Sequence, residues 1–109
     1  MRSGVQRLVD VLAAAEAIGA HLGRGNLTDG LVFDAVRVRL IEIGEAVKAI
    51  DPAVLATEPD VPWQDVAIMR NHLAHRYFDT DHAIVAATVD QDLPPLVAAV
   101  RRMLAFIDR

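Results

Sequence analysis

The residue types best suited to chemistry in this chain are crowded into one short stretch. It reads Arg70, Asn71, His72, Leu73, Ala74, His75, Arg76 and Tyr77, with no acid among them. A neutral imidazole, with an unperturbed pKa near about 6.5, takes a proton from a hydroxyl at physiological pH. A guanidinium keeps its charge and its forked shape, so it can hold a phosphate and stabilise negative charge as it develops. Together they suit cleavage of a phosphodiester without a metal. The nucleophile would be a neighbouring ribose 2′-hydroxyl, which RNA has and DNA lacks. In this reading Arg70 and His75 are catalytic, Asn71 orients a phosphate oxygen or the histidine, and His72 and Arg76 contact substrate.

Helical geometry tests whether these groups can meet. At about 100° per residue, with Val66 set at 0°, Arg70 falls near 40°, Asn71 near 140° and His75 near 180°. Arg70 and His75 are thus about 140° apart, and their convergence needs arginine's reach, a kink or a fraying last turn. Ala67 and Ala74 lie between the polar edges and form a shallow floor. A plainer reading also stands: the helix dipole favours a histidine near a C-terminus, and Arg70 can pair with an acid on a neighbouring helix. No metal or cofactor is expected. His72 and His75 supply two nitrogens with no third ligand at helical spacing, while Glu42 and Glu45, beside Lys48, read as a solvated helix surface. Glycine-rich phosphate loops are absent from the sequence.

The elements that must position this stretch are helices. Residues 5–22 place Val5, Leu8, Leu12, Ala15, Ile18 and Leu22 at steps of three and four, the spacing of one helical face. Thr28 or Asp29 can cap a second helix to about residue 50, whose Phe33, Val36, Leu40, Ile43, Val47 and Ile50 form a seam with Val38 and Ile41 beside it. That extra apolar surface implies a second neighbour, either another helix or another subunit. Asp51 and Pro52 open a short helical turn, and a long helix from Trp63 carries the polar stretch. Asp79, Thr80 or Asp81 caps a fourth helix over residues 82–89. Asp92, Pro94 and Pro95 start the last, with Leu96, Val100, Met103, Leu104 and Ile107 inward.

The chain has 109 residues, 53% of them hydrophobic, with 11 basic and 15 acidic side chains, a net charge of −4 and no cysteine. Its mean hydropathy is +0.28. This is the size of a single domain, residues 1–109. The acidic balance argues against a broad basic surface wrapping nucleic acid, so such a role needs a local basic site. No apolar run approaches the roughly 20 residues of a membrane span, no secretory signal is visible, and a cytoplasmic location is expected.

Read in order, Arg70, His75 and Tyr77 resemble the Arg-x4-His-x-Tyr signature of the HepT family of HEPN-fold toxins. Ile41-Glu42-Ile43-Gly44-Glu45-Ala46, Pro62-Trp63, Met69-Arg70-Asn71 and His75-Arg76-Tyr77-Phe78 followed by Asp81 look like the same family, over roughly residues 5–107. The resemblance implies an all-α, antiparallel HEPN-like bundle of four to five helices that forms a homodimer. It also implies a metal-independent ribonuclease working through Arg70 and His75 in a shared cleft, as the toxin of a type VII toxin–antitoxin system. The implied antitoxin is an MntA-like minimal nucleotidyltransferase that transfers AMP to Tyr77, whose added charge would repel RNA. Arg76 stands where relatives often carry glycine. The alternative function is a non-catalytic helical dimer that binds a nucleotide, RNA or a nucleotidyltransferase through the same cleft.

Overall fold

A computed structural model describes residues 3–75 and 82–107, with the His75 side chain excepted. Every regular element among them is helical: α1 (Gly4–Leu22), α2 (Gly30–Lys48), α3 (Pro52–Leu55), α4 (Trp63–His75), α5 (His82–Ala87) and α6 (Leu93–Ile107). The all-α expectation is met. α1 and α2 form the main hairpin, α4 packs on α2, and α6 packs on α1.

Local chemistry sets the helix starts. Ser3 Oγ accepts from the Gln6 amide at 3.1 Å while the Ser3 amide donates to Gln6 Oε1 at 2.7 Å, a reciprocal capping box that begins α1. Asp29, one of the two expected caps, accepts from the Leu31 amide at 2.9 Å and starts α2. Asp51 does the same for the Ala53 amide, with Pro52 at the first helical position.

The seam expected on α2 is the centre of the core. Phe33, Val36, Leu40, Ile43, Val47 and Ile50 are all buried, Ile50 even though α2 ends at Lys48. Ile41 is partly buried against this core, while Val38 stays 46% exposed, so part of the surface beside the seam is left open by this chain's own helices. On α1 the inward face is Leu8, Val11, Ala14 and Ile18, and Val5 points outward. Ile107, expected inward, is exposed as well.

Two features depart further from expectation. Residues 82–107 do not break at the prolines but run as one helix through a π-turn at Thr88–Asp92, where the Leu93 amide donates to the Thr88 carbonyl. Pro94 and Pro95 have no amide to offer Asp90 and Gln91, and their rings would crowd those carbonyls in a regular α-helix. Widening the preceding turn relieves the clash without ending the helix. The fused helix is 26 residues long with hydropathy 1.3 in its most apolar window, which by length and composition alone is enough to cross a membrane. The expectation that no apolar stretch approaches that length is therefore corrected. Its Leu93, Leu96, Ala99, Val100 and Met103 face is buried in the core.

The second departure is Arg37, a charged residue that is only 6% exposed inside this core. Its NH1 donates to the Leu73 carbonyl of α4 at 2.7 Å. Four residues earlier on α2, the Phe33 ring stacks on His82 at a centroid distance of 3.8 Å. α2 therefore grips the chain just before and just after residues 76–81.

Candidate functional site

α4 comes unusually close to α2, and a missing side chain explains it. A Cβ built on Gly44 would lie 2.5 Å from Arg70 Cβ, 3.1 Å from the Val66 carbonyl oxygen and 3.3 Å from Arg70 Cα. A glycine inside a helix costs roughly 0.5–1 kcal/mol relative to alanine. Here it lets the Arg70 backbone rest directly on α2, so the position of Arg70 is set by steric contact.

From that seat the Arg70 guanidinium is held on two sides. Its Nε and NH2 both donate to Glu45 Oε1, at 3.0 and 2.7 Å, and its NH1 donates to Asn71 Oδ1 at 3.1 Å. Five N–H bonds are available to an arginine. Three are used, which leaves one on NH1 and one on NH2 as donors for the oxygens of a phosphate. The Arg70 side chain is 27% exposed and Glu45 55% exposed. In that setting the ion pair adds little stability, and its main effect is to fix orientation.

Glu45 is the residue that sequence reasoning misread. Glu42 does form an ordinary surface pair with Arg39 at 3.1 Å, but Glu45, three residues on, belongs to the Arg70 cluster. The stretch from Arg70 to Tyr77 contains no acid of its own, yet α2 brings one to it. The plainer reading of Arg70, pairing across helices, is thus also realised. Glu45 directly follows Gly44, but that glycine points to Arg70 only once the helix resting on it is known.

Asn71 lies next to Arg70 and its Oδ1 accepts from the guanidinium, a contact other than the phosphate oxygen or histidine it was expected to orient. His72 is exposed on α4. His75 is the last residue of α4 described, and its side chain lies outside the described set, so its approach to Arg70 stays an expectation. Arg76 and Tyr77 lie outside the described residues, as do Asp79, Thr80 and Asp81. Ala67 and Ala74 are half-buried. The small residues that line a cavity with Arg70 are Ala13, Ala14, Ala46 and Ala49, in a groove of about 680 Å³ between α1 and α2.

Arg70, Asn71 and His75 lie on one helix of an all-α bundle, the fold that the resemblance implies. The family described as "Ribonuclease HepT-like" matches residues 10–103, and the chain belongs to it. Among curated relatives, "Probable ribonuclease HepT" of Thermococcus cleftensis is 40% identical over 60 residues, 54% of each chain. "Putative RNase TTE0752" of Caldanaerobacter subterraneus subsp. tengcongensis is 37% identical over 68 residues, 62% of this chain and 61% of its own. "Putative RNase MJ1216" of Methanocaldococcus jannaschii is 33% identical over 72 residues, 65% of this chain and 60% of its own. The chain thus spans a little over half the length of the curated relatives it matches. No solved structure matches it significantly.

Proposed function

We propose that the chain is a metal-independent endoribonuclease, the toxin of a toxin–antitoxin pair, with Arg70, His75 and Asn71 as its catalytic set. The observation that carries the reading is the Arg70 guanidinium, clamped by Glu45 and Asn71 with two of its N–H donors unspent. Family membership and relatives bearing ribonuclease names support it.

The chemistry follows from the residue types. The neutral His75 imidazole takes the proton of the ribose 2′-hydroxyl, and the 2′-oxygen attacks the adjacent phosphorus. The bond from phosphorus to the 5′-oxygen breaks, leaving a 2′,3′-cyclic phosphate and a 5′-hydroxyl. The Arg70 fork binds the non-bridging oxygens, whose charge grows in the transition state. The departing 5′-oxygen needs a proton, and a protonated His75 of a second copy supplies it when two motifs face one cleft. The exposed apolar surface at Val38 leaves room for such pairing. In this scheme His72 and Arg76 contact flanking substrate. An MntA-like nucleotidyltransferase silences the enzyme by AMP transfer to Tyr77, placing phosphate charge two residues from His75.

The test is RNA digestion in EDTA with mapping of the ends. Cleavage should yield cyclic phosphates and disappear in His75→Ala and Arg70→Ala, with helical circular dichroism unchanged. Binding of RNA with no cleavage at any enzyme concentration, or full activity in His75→Ala, would overturn the assignment. The first of those outcomes would favour the non-catalytic binding dimer.

A further inference from the structure

The groove beside Arg70 is larger than one arginine needs. It lies along the α1–α2 hairpin, with Ala13, Ala14, Ala46 and Ala49 among its small lining residues, and it is bordered by Arg7, Arg39, Lys48 and Arg70. Three acids, Asp10, Glu42 and Glu45, line the same hollow, so in a chain of net charge −4 it carries a net charge of +1. Two of the four cations are already engaged, Arg39 by Glu42 and Arg70 by Glu45. The Arg7 guanidinium and the Lys48 ammonium form no ion pair or side-chain hydrogen bond with any described residue. Glu42 and Glu45 are spent on their own arginines and Asp10 also has a partner, so Arg7 and Lys48 are the cations left for an external anion.

The spacing has a direction. Along α2, Lys48 lies four residues from Gly44, where Arg70 is seated, about one turn on and on the same side of the helix. At 1.5 Å per residue that step is about 6 Å, the scale of one nucleotide step in a stretched strand. The alanines between give a shallow apolar bed on which a ribose or base can lie without displacing side chains. A positive groove with a flat apolar lining is how proteins follow a single strand without reading its sequence.

We propose that the α1–α2 groove is the track for the single-stranded RNA flanking the scissile bond, with Arg7 and Lys48 holding the phosphates next to the one held by Arg70. The proposal rests on the ribonuclease reading of that same site. It assigns substrate contact to two residues far in sequence from the Arg70–Tyr77 stretch, and it makes the preferred substrate unpaired, since a duplex is too wide to lie between two packed helices.

The experiment measures binding of a fluorescent 2′-O-methyl RNA 12-mer, which lacks the nucleophile and cannot be cut, to the full chain over a salt series. Arg7→Ala/Lys48→Ala should raise Kd by roughly tenfold and reduce the slope of log Kd against log salt by about 1.4, the loss of two single-strand phosphate contacts. Arg101→Ala removes one exposed charge outside the groove and should leave both nearly unchanged. A double variant with wild-type affinity and slope overturns the track. So does a change in light-scattering mass with unaltered affinity per subunit, which would assign the groove to a contact between copies. A wild-type protein that binds the probe through Arg7 and Lys48 yet never cuts RNA sinks the ribonuclease reading and leaves the track standing. Cleavage by wild type with an unaffected double variant does the reverse.

Discussion

The two sides of α4 are packed on different principles. Toward α2 the helix rests on bare backbone at Gly44, with no room for a methyl group, and its last turn is tied by Arg37 to the Leu73 carbonyl. Toward the π-turn and α6 it faces a cavity of about 450 Å³ with Val66, Met69, Leu93 and Leu96 on its walls. Val66 shows both regimes at once, its carbonyl against Gly44 and its side chain half-buried at the cavity. The side that places Arg70 is rigid, and the slack is kept where no chemistry is proposed.

Adding volume on each side should break or sharpen that contrast most directly. Gly44→Val forces a branched side chain into a 2.5 Å gap, and we expect it to cost about 3 kcal/mol or more, with a melting temperature lower by roughly 10 °C or more. RNA cleavage should fall further than the loss of folded protein explains, because α4 must lift at Arg70. Val66→Ile adds a methylene toward the cavity and should be neutral or stabilise by up to about 1 kcal/mol. Equal melting temperatures for the two variants would show that the sides do not differ.

Arg37→Met comes next. It keeps much of the volume but leaves the Leu73 carbonyl, deep in the core, without its charged donor. Loss of such a bond is expected to cost about 2–3 kcal/mol in urea unfolding. A change below about 0.5 kcal/mol would mean that α4 is held by its apolar contacts alone.

The same contrast explains what the sequence could show. The seam on α2 was legible because six apolar residues at steps of three and four have one structural meaning. Arg70 and Asn71 were legible as residue types, since they stand in a segment rich in cations. Glu45 and Arg37 were not, because their roles depend on which helix rests on which, and periodicity along one helix carries no such information. A buried arginine reads as a surface residue until the helix whose carbonyl it meets is known. The prolines misled for a related reason: Pro94 and Pro95 signal a helix start locally, and the same two residues are accommodated by a π-turn when the preceding helix continues into them.

Glu45→Gln probes function rather than folding. The pair with Arg70 is partly solvated, so unfolding free energy should move by less than about 1 kcal/mol. The amide still accepts one bond but holds the guanidinium more weakly, and kcat for RNA cleavage should drop by about tenfold with KM little changed. A higher rate in the variant would instead make Glu45 a competitor of the substrate phosphate.

The smallest effect is expected at Arg102, which crosses the slack side of α4 from α6. Its NH2 and Nε donate to Glu58 at 2.7 and 3.2 Å, and the Glu58 carbonyl accepts from Trp63 Nε1 at 3.0 Å, where α4 begins. Hydrogen bonding from Arg102 holds the Glu58 carboxyl below its ordinary value of 4.5. A carboxyl lowered on folding adds stability that is fully present above its unfolded pKa and is lost as the pH falls through its folded one. Arg102→Ala should therefore melt slightly below wild type by the same margin across neutral pH, and the two curves should merge in acid below the carboxylate range. Because Arg102 is 61% exposed, that margin should also shrink in high salt. A difference that persists in strong acid would show that Arg102 acts through its packing at the cavity edge rather than through its charge.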